Sequence, residues 1–263
     1  MALSALFCAY GMTLQFGLPF TLPFAIMEFS APLSLYSMNR YMELKQDLET
    51  YPIRTNFIKN KMHLFMLATL FFYALALILS FLQNTNSFIF ILLTTFSMTI
   101  YGLHIGNFRL KDILFLKNIF LGIVWSASLV VLPQIFFQAT ISSKTIYYII
   151  LVGSLCAINT IIFDLRDVQG DKKNNVMTAP VIFGEKNTKR LLNVMTAILL
   201  LFSLALYINL GKEYLIFTLT SLYTLLVISR IDVEDIKIVT ELYADAFLAL
   251  LGFFSVLLRL VFV

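Results

Sequence analysis

The stretch NTIIFDLRDVQGDKKNNVMTAPVIFG, residues 159–184, carries three aspartates at the end of a strongly apolar run. Asp164, Asp167 and Asp171 are spaced by three and four residues, and two lysines follow them directly. On a continuous helix this spacing places all three carboxylates on one face. Carboxylates repel one another strongly where water is scarce, as at the end of a membrane helix. The pattern therefore predicts a site that binds cations.

A second acidic set lies far away in the chain, where another apolar segment reaches polar residues. Its members are spaced by four residues, so they also share one helical face. Two such faces at the same depth can share divalent ions, and oxygen ligands suit Mg²⁺, which takes part of its shell from substrate phosphates. We expect these groups to bind an ion rather than a neighbouring helix; the alternative is a solvated helix end beside lipid headgroups. The predicted Mg²⁺ ligands and catalytic residues are Asn39, Glu43, Asp47, Asp164, Asp167 and Asp171.

The composition restricts the chain to one class of protein. Of its 263 residues, 60% are hydrophobic and only 13% are charged, and the mean hydropathy is +0.88. A water-soluble fold cannot bury that much apolar surface, so we expect a multi-spanning membrane protein in contact with lipid, and no nucleic-acid partner. Disulfide-built and disordered classes are excluded on the same grounds. Cys8 and Cys156 lie inside apolar runs, where a thiol behaves as a small hydrophobe.

The apolar segments predict an all-α fold, with a single domain over residues 1–263. We expect about nine transmembrane helices around a central cavity, with cytoplasmic loops that cap it. Prolines at the start of the second segment predict a kink or a later start, and Pro133 predicts a bend in the fifth. The predicted helices are 1–17, 19–46, 62–82, 87–105, 113–137, 143–168, 189–210, 213–229 and 239–262.

The distribution of positive charge predicts the orientation in the membrane. Most of the 19 Lys and Arg residues lie in the loops after predicted helices two, four, six and eight. Because cytoplasmic loops carry an excess of Lys and Arg, these loops are expected to be cytoplasmic. Both acidic sets would then face the cytoplasm, and we expect the cell membrane as the location. The loops after helices two and six are long, which favours caps over a site.

Two motifs resemble those of a known family. Asp-x-x-Asp-x-x-x-Asp, followed by lysines and then Thr-x-Pro-Val, resembles the second aspartate-rich motif of the UbiA superfamily of intramembrane prenyltransferases. Asn39-x-x-x-Glu43-x-x-x-Asp47, with Arg54 downstream, resembles the first motif. The resemblance spans essentially the whole chain. It implies Mg²⁺-dependent transfer of a polyprenyl group from polyprenyl diphosphate to a lipophilic or aromatic acceptor.

The first motif departs from the family pattern in three ways. Arg40 stands where many members have Asp, and Glu43 replaces the middle Asp. The Arg-Pro-Leu stretch that usually follows is absent. Glu43 keeps the charge one methylene further out, so we expect metal binding to survive. The departures bear on the class of acceptor more than on catalysis.

Further residues are expected to contact the substrates. A departing diphosphate carries several negative charges, and an allylic cation needs shielding from water, so cations and aromatic rings are the groups to look for. Asn159 is expected to bond a neighbouring helix or a ligand. The candidate cavity rings are Tyr36, Tyr101, Phe163 and Trp125. The candidate substrate-binding residues are Arg54, Lys117, Lys172, Arg40, Tyr101 and Asn159.

Two other functions fit parts of the pattern. An intramembrane terpene cyclase uses the same metal site but lets the prenyl chain attack itself. A lipid or ion-coupled transporter also uses acidic residues, although near the middle of the bilayer. Glu28 lies within the second apolar segment, nearly on the face of Asn39. It is expected to belong to an acceptor pocket, to bond a neighbouring helix or to lie near the outer interface.

Overall fold

Every regular element of the described chain is a helix, which confirms the all-α class. A computed structural model describes residues 2–42, 44, 48, 52–103, 112–231 and 235–261. In the first half, the helices are α1 (Ala2–Gln15), α2 (Leu22–Met42), α3 (Pro52–Asn60), α4 (Met62–Gln83), α5 (Thr85–Gly102), α6 (Leu116–Ser126) and α7 (Leu132–Phe136). In the second half, they are α8 (Ser143–Lys173), α9 (Ala179–Phe183), α10 (Glu185–Leu210), α11 (Leu215–Arg230), α12 (Ile236–Ile238) and α13 (Phe247–Val261).

Six helical segments in this part of the chain are long and apolar enough to cross a membrane. They support an integral membrane protein, whereas the count of nine spans stays a prediction. Helix α1 is apolar but shorter. The six segments are Met62–Gln83, Thr85–Gly102, Leu116–Phe136, Ser143–Lys173, Glu185–Leu210 and Ile236–Val261.

Helix α8 is longer than predicted, and its extra turns position the aspartates. It runs to Lys173 instead of ending at residue 168, so all three aspartates of the motif lie within it. Lysines in its last turn interact favourably with the negative end of the helix dipole. The helix ends where Asn175 adopts a positive φ of 55°. The lysine pair thus extends the helix, which the apolar pattern alone did not indicate.

Prolines shape two other helices near the cavity. Helix α2 begins at Leu22, later than the apolar segment suggests, as predicted from its prolines, and Pro32 lies within it. Between α6 and α7 the chain forms a π-helical stretch, Ala127–Val131, immediately before the proline of α7. Proline lacks the N–H that an α-helix needs, and a π turn is one local adjustment around it. The helix is thus irregular next to Pro133, while the predicted bend itself stays a prediction.

The connection after α2 contains a short helix, α3, and the connection after α8 contains α9. Neither was predicted, because both segments are too short or too polar to stand out in the apolar pattern. Glu43 and Asp47 lie outside the described residues. The role of these connections as caps stays a prediction.

Helices α6 and α8 pack closely along their length, and two glycines make this possible. A Cβ on Gly122 would lie 2.5 Å from the carbonyl oxygen of Gly153, which is closer than side chains ever come. Because neither glycine has a side chain, the two backbones approach to van der Waals contact, as small residues allow in membrane helices. One turn before Gly122 in α6, polar side chains face α8 at short range.

Replacing Gly122 with Ala is expected to destabilise the protein by about 1 to 3 kcal/mol, because the new methyl group forces the two backbones apart. Unfolding in mixed detergent micelles measures the effect. Gly102→Ala is the matched control, since its Cβ meets only the flexible end of Met42 at 3.1 Å. Equal stability of both variants would contradict the close approach of α6 and α8.

Candidate functional site

An elongated cavity of about 310 Å³ runs between α2, α5, α6, α8 and α13. Its lining is mostly apolar, but polar side chains gather at one end. Asn39, Lys117, Asp167 and Asp171 all border it there. Such a size and polarity are typical of small-molecule sites.

The most deeply buried group at this end is Asp164, which is fully inaccessible to solvent. Lys117 Nζ lies 2.6 Å from its Oδ1, and Asn118 donates a hydrogen bond of 2.9 Å to its Oδ2. Asn118 also donates to Thr160 Oγ1 at 3.0 Å. Both carboxylate oxygens therefore have partners on α6, and the close packing at Gly122 brings these partners within reach.

These contacts add to one expectation. Asp164 was expected to bind an ion rather than a neighbouring helix; the structure pairs it with two side chains of α6, and its role as a metal ligand stays a prediction. A buried carboxylate without such partners would be costly, so the pair has a structural role as well. Lys117 keeps 26% of its side chain exposed and lines the cavity, so it still presents positive charge to a ligand.

The other two aspartates of α8 have different surroundings. Asp167 accepts two hydrogen bonds of 2.8 Å from its neighbour Arg166, in a bidentate arrangement. Asp171 has one oxygen, Oδ2, that is buried with no hydrogen-bond partner. The hydroxyl of Thr178 is a polar neighbour of this carboxylate, although the two do not form an ideal hydrogen bond. The Oδ2 of Asp171 is therefore available to a cation or to a hydrogen-bond donor.

The oxygen donors at this end fit Mg²⁺. Asn39 lines the cavity with Asp167 and Asp171, while Glu43 and Asp47 fall outside the described residues. Among the residues that the structure describes, no three His, Cys, Asp or Glu side chains lie close enough to hold a metal by themselves. Mg²⁺ is usually held by one or two carboxylates together with substrate phosphates, so a full protein cage is not required.

Aromatic rings form the cavity walls beyond the polar end, as the sequence predicted. Tyr101 is buried and stacks on Phe120, with ring centroids 4.4 Å apart and planes 9° apart. Tyr36, Phe163 and Trp125 also line the cavity. The walls are thus apolar, rigid and able to present π faces to a cation.

Asn159 lies on the cavity wall and also bonds a neighbouring element. Its Nδ2 donates a hydrogen bond of 3.2 Å to the carbonyl oxygen of Ala244. Ala244 ends a second π-helical stretch, Val239–Ala244. A π turn displaces backbone carbonyls from their usual partners, which leaves them available to side chains. Both expectations for Asn159, an interhelical bond and a position at a ligand site, fit this arrangement.

Three predicted phosphate contacts do not border the cavity in this structure. Arg40 donates to the hydroxyl of Tyr36, with its guanidinium 4.8 Å from the centre of that ring. Arg54 is exposed on α3, and Lys172 is exposed on α8. Lys172 follows Asp171 directly, so it points about 100° away around the helix. Their proposed contacts with diphosphate stay predictions.

Sequence reasoning gave no site role to Thr160. It lies four residues before Asp164 and therefore on the same face of α8, which was a usable signal. Asn118, the neighbour of Lys117 in the chain, supplies the second hydrogen bond to Asp164. Contacts between side chains that are more than forty residues apart have no local signature in a sequence.

The opposite end of the cavity contains Glu28, whose side chain is fully buried. Neither of its carboxyl oxygens has a hydrogen-bond partner. Its expected bond to a neighbouring helix is therefore not present in this structure. Its expected position near the outer interface stays a prediction.

The sequence profile of the UbiA prenyltransferase family matches residues 1–251 of the chain. A search of curated proteins returned no match.

Several solved structures share the fold. The apo structure of a UbiA homolog from Aeropyrum pernix K1 superposes with a TM-score of 0.71 at 19% identity, covering 97% of both chains. A UbiA homolog from Archaeoglobus fulgidus bound to GPP and Mg²⁺ has a TM-score of 0.68 at 16% identity, covering 97% of this chain and 95% of that one. A structure described as digeranylgeranylglyceryl phosphate synthase has a TM-score of 0.62 at 15% identity, covering 98% and 92%. At such identities the likeness establishes the fold.

Replacing Lys117 with Met is expected to cost about 3 kcal/mol of stability, because it leaves the buried carboxylate of Asp164 without its cation. Combining it with Asp164→Leu should restore most of that loss, since two apolar side chains leave no buried charge without a partner. Unfolding of the two single variants and the double variant in mixed micelles measures the coupling. Strictly additive effects would show that the pair does not hold α6 against α8.

Proposed function

Because the chain belongs to the UbiA prenyltransferase family, we propose that it transfers a polyprenyl group from its diphosphate to a lipophilic or aromatic acceptor within the membrane. The observation that carries the proposal is the polar end of the cavity. This end leads into a space with aromatic walls, and it is bordered by Asn39, Lys117, Asp167 and Asp171. A diphosphate fits the polar end and a prenyl chain fits the walls.

Mg²⁺ is the proposed cofactor, held by Asn39, Asp167 and Asp171 together with the diphosphate, and by Glu43 and Asp47 from the first motif. The unpartnered Oδ2 of Asp171 supports this assignment, as does the Mg²⁺ bound with GPP in the Archaeoglobus homolog. When bound, the ion acts as a Lewis acid that stabilises the charge of the leaving diphosphate. Asp164 is proposed to act mainly by fixing Lys117, and through it to contribute to the site.

Lys117 has the first role in the proposed mechanism. Its ammonium group is held at the cavity by Asp164, so it is preorganised to neutralise negative charge that develops as the bond between the first prenyl carbon and oxygen breaks. In other enzymes, one such preorganised donor contributes about 2.7 to 4 kcal/mol to transition-state stabilisation. Arg40, Arg54 and Lys172 are proposed to contact phosphate or headgroups only after rearrangement of their side chains.

The rings have the second role. Tyr101, Phe163 and Trp125 enclose the space next to the polar end and exclude water. An allylic cation formed there meets π faces instead of a nucleophilic solvent. Diphosphate leaves as this cation forms; the acceptor then attacks the first carbon to form the new bond, and the proton that it loses passes to the departing diphosphate. Tyr101 and Asn159 are the proposed contacts with the organic part of the substrates.

The position of the acidic groups favours this function over transport. Asp164, Asp167 and Asp171 occupy the last three turns of α8, at one end of the bundle. Sites of ion-coupled transporters lie near the middle of the bilayer on broken helices. By the positive-inside rule, the proposed site faces the cytoplasm and the protein resides in the cell membrane, as one domain over residues 1–263.

The experiment that tests the function is incubation of the purified protein with labelled geranylgeranyl or farnesyl diphosphate, Mg²⁺ and a total lipid extract. Mg²⁺-dependent appearance of label in a larger lipid, identified by its mass, is the expected result. A cyclic hydrocarbon or alcohol formed without extract would indicate a terpene cyclase. Passage of unaltered prenyl lipid between vesicles would indicate a transporter.

Asp171→Ala is expected to reduce Mg²⁺-dependent transfer at least a hundredfold while lowering thermal stability in detergent only slightly, because its buried oxygen has only a weak contact with Thr178 to lose. Initial rates across a Mg²⁺ titration measure the effect. Glu185→Gln, at an exposed carboxylate in the first turn of α10, is the matched control and should retain the wild-type rate. Near-normal transfer by Asp171→Ala would contradict the assignment of this end as the metal site.

A further inference from the structure

Glu28 is a buried carboxyl group for which the fold provides no partner. Its side chain is 0% exposed, and both of its oxygens lack a hydrogen bond. Burying a polar group without a partner costs several kcal/mol, and burying a charge costs more. Fold stability therefore does not explain this side chain, since a leucine at the same position would avoid the cost.

The surroundings of Glu28 point to a ligand within the cavity. It lines the cavity together with Ala31, Leu132 and Cys156, and nothing in this group saturates a carboxyl group. The thiol of Cys8 is also near and is buried, but a thiol is only a weak donor. Because neither oxygen of this carboxyl group has a partner, its hydrogen-bonding capacity is left for a group that comes from elsewhere, such as a hydroxyl or an amine.

The prenyl diphosphate does not supply these donors. Glu28 precedes Asn39 by eleven residues, so along the helix it lies roughly 16 Å from the polar end. The diphosphate belongs at that polar end, beside Lys117 and Asp171, because its negative charge would be costly in the apolar part of the cavity. The prenyl chain, which extends away from it, is a hydrocarbon without donors. The remaining molecule that enters the cavity is the acceptor.

We propose that Glu28 binds the acceptor through a hydroxyl or amine group, deep in the cavity and away from the reacting atoms. This inference rests on the proposed function and narrows its acceptor to lipophilic molecules that carry such a donor. A molecule whose buried end is a carboxylate or phosphate is disfavoured, because it would carry a charge into the apolar part of the cavity. Glu28 is a positioning and specificity residue, because a general base must lie within about 3.2 Å of the proton that it removes.

The test uses the purified full-length protein with labelled geranylgeranyl diphosphate, Mg²⁺ and increasing amounts of total lipid extract as the source of acceptor. Glu28→Leu is expected to raise the amount of extract needed for half-maximal transfer at least tenfold. The KM for geranylgeranyl diphosphate should change less than twofold. Glu28→Gln keeps one carbonyl oxygen as an acceptor, so it should recover most of the lost affinity.

Ser30→Ala is the matched control. Ser30 lies on the same helix, is fully buried and also has an unpaired side-chain oxygen, but it does not line the cavity. Its replacement should leave the dependence on extract unchanged. Thermal unfolding in detergent provides the second readout: Glu28→Leu is expected to be at least as stable as the wild type, whereas a purely structural carboxyl group would show a loss of stability.

Two outcomes would overturn the inference while leaving the proposed function intact. The first is wild-type dependence on extract in an active Glu28→Leu protein. The second is an equal rise in the KM for geranylgeranyl diphosphate, which would place Glu28 at the prenyl chain. By contrast, absence of Mg²⁺-dependent transfer by the wild type refutes the proposed function itself. A cyclic product formed without extract, and altered by Glu28→Leu, would show instead that Glu28 removes a proton from a cyclised cation.

Discussion

The ion pair between Lys117 and Asp164 is the constraint around which the polar end of the cavity is arranged. An aspartate that is completely withdrawn from water loses its hydration, and a single cation does not satisfy both of its oxygens. Asn118 bonds the second oxygen, and Thr160 accepts the remaining proton of that amide. The whole set functions only while α6 and α8 stay in contact. The glycine contact one turn away is therefore part of the same arrangement.

The two ends of the cavity differ in their chemistry, and this ion pair belongs to the polar end. The polar end combines a held cation with oxygen ligands, among them an unpartnered one on Asp171. The walls that follow are apolar and aromatic, so they favour a hydrocarbon chain and keep water away from a cation. In such a low-dielectric space, each preorganised charge acts over a longer distance than it would in water. This contrast is what makes charge separation within the membrane feasible.

Much of this arrangement follows from local patterns in the chain. The three aspartates share a face because spacings of three and four residues suffice on any helix. The apolar segments identified the membrane class because their composition leaves no soluble alternative. The aromatic walls were also predictable, since Tyr101, Phe163 and Trp125 lie in helices that were expected to surround a cavity.

Other features depend on contacts between distant segments and have no local pattern. Lys117 was expected to contact phosphate because of its charge, but nothing near it in the chain indicated that Asp164 would hold it. Arg54 and Lys172 carry the same charge, and yet their positions on α3 and α8 leave them exposed. That Glu28 lacks partners could not be predicted either, because a sequence shows which groups are polar but not which of them remain unpaired.

The π-helical stretch Ala127–Val131 has a consequence for the register of the cavity wall. A π turn contains one residue more than the α turn that it replaces, so it rotates the following chain by about 100° relative to a continuous α-helix. Trp125 before the stretch and Leu132 after it both line the cavity in this geometry. Regular α winding at the present chain length would swing one of these two side chains toward lipid, whereas deletion of a single residue would restore regular winding and keep both on the cavity wall. The extra residue and the π turn thus compensate each other, and the shape of the cavity depends on their occurring together.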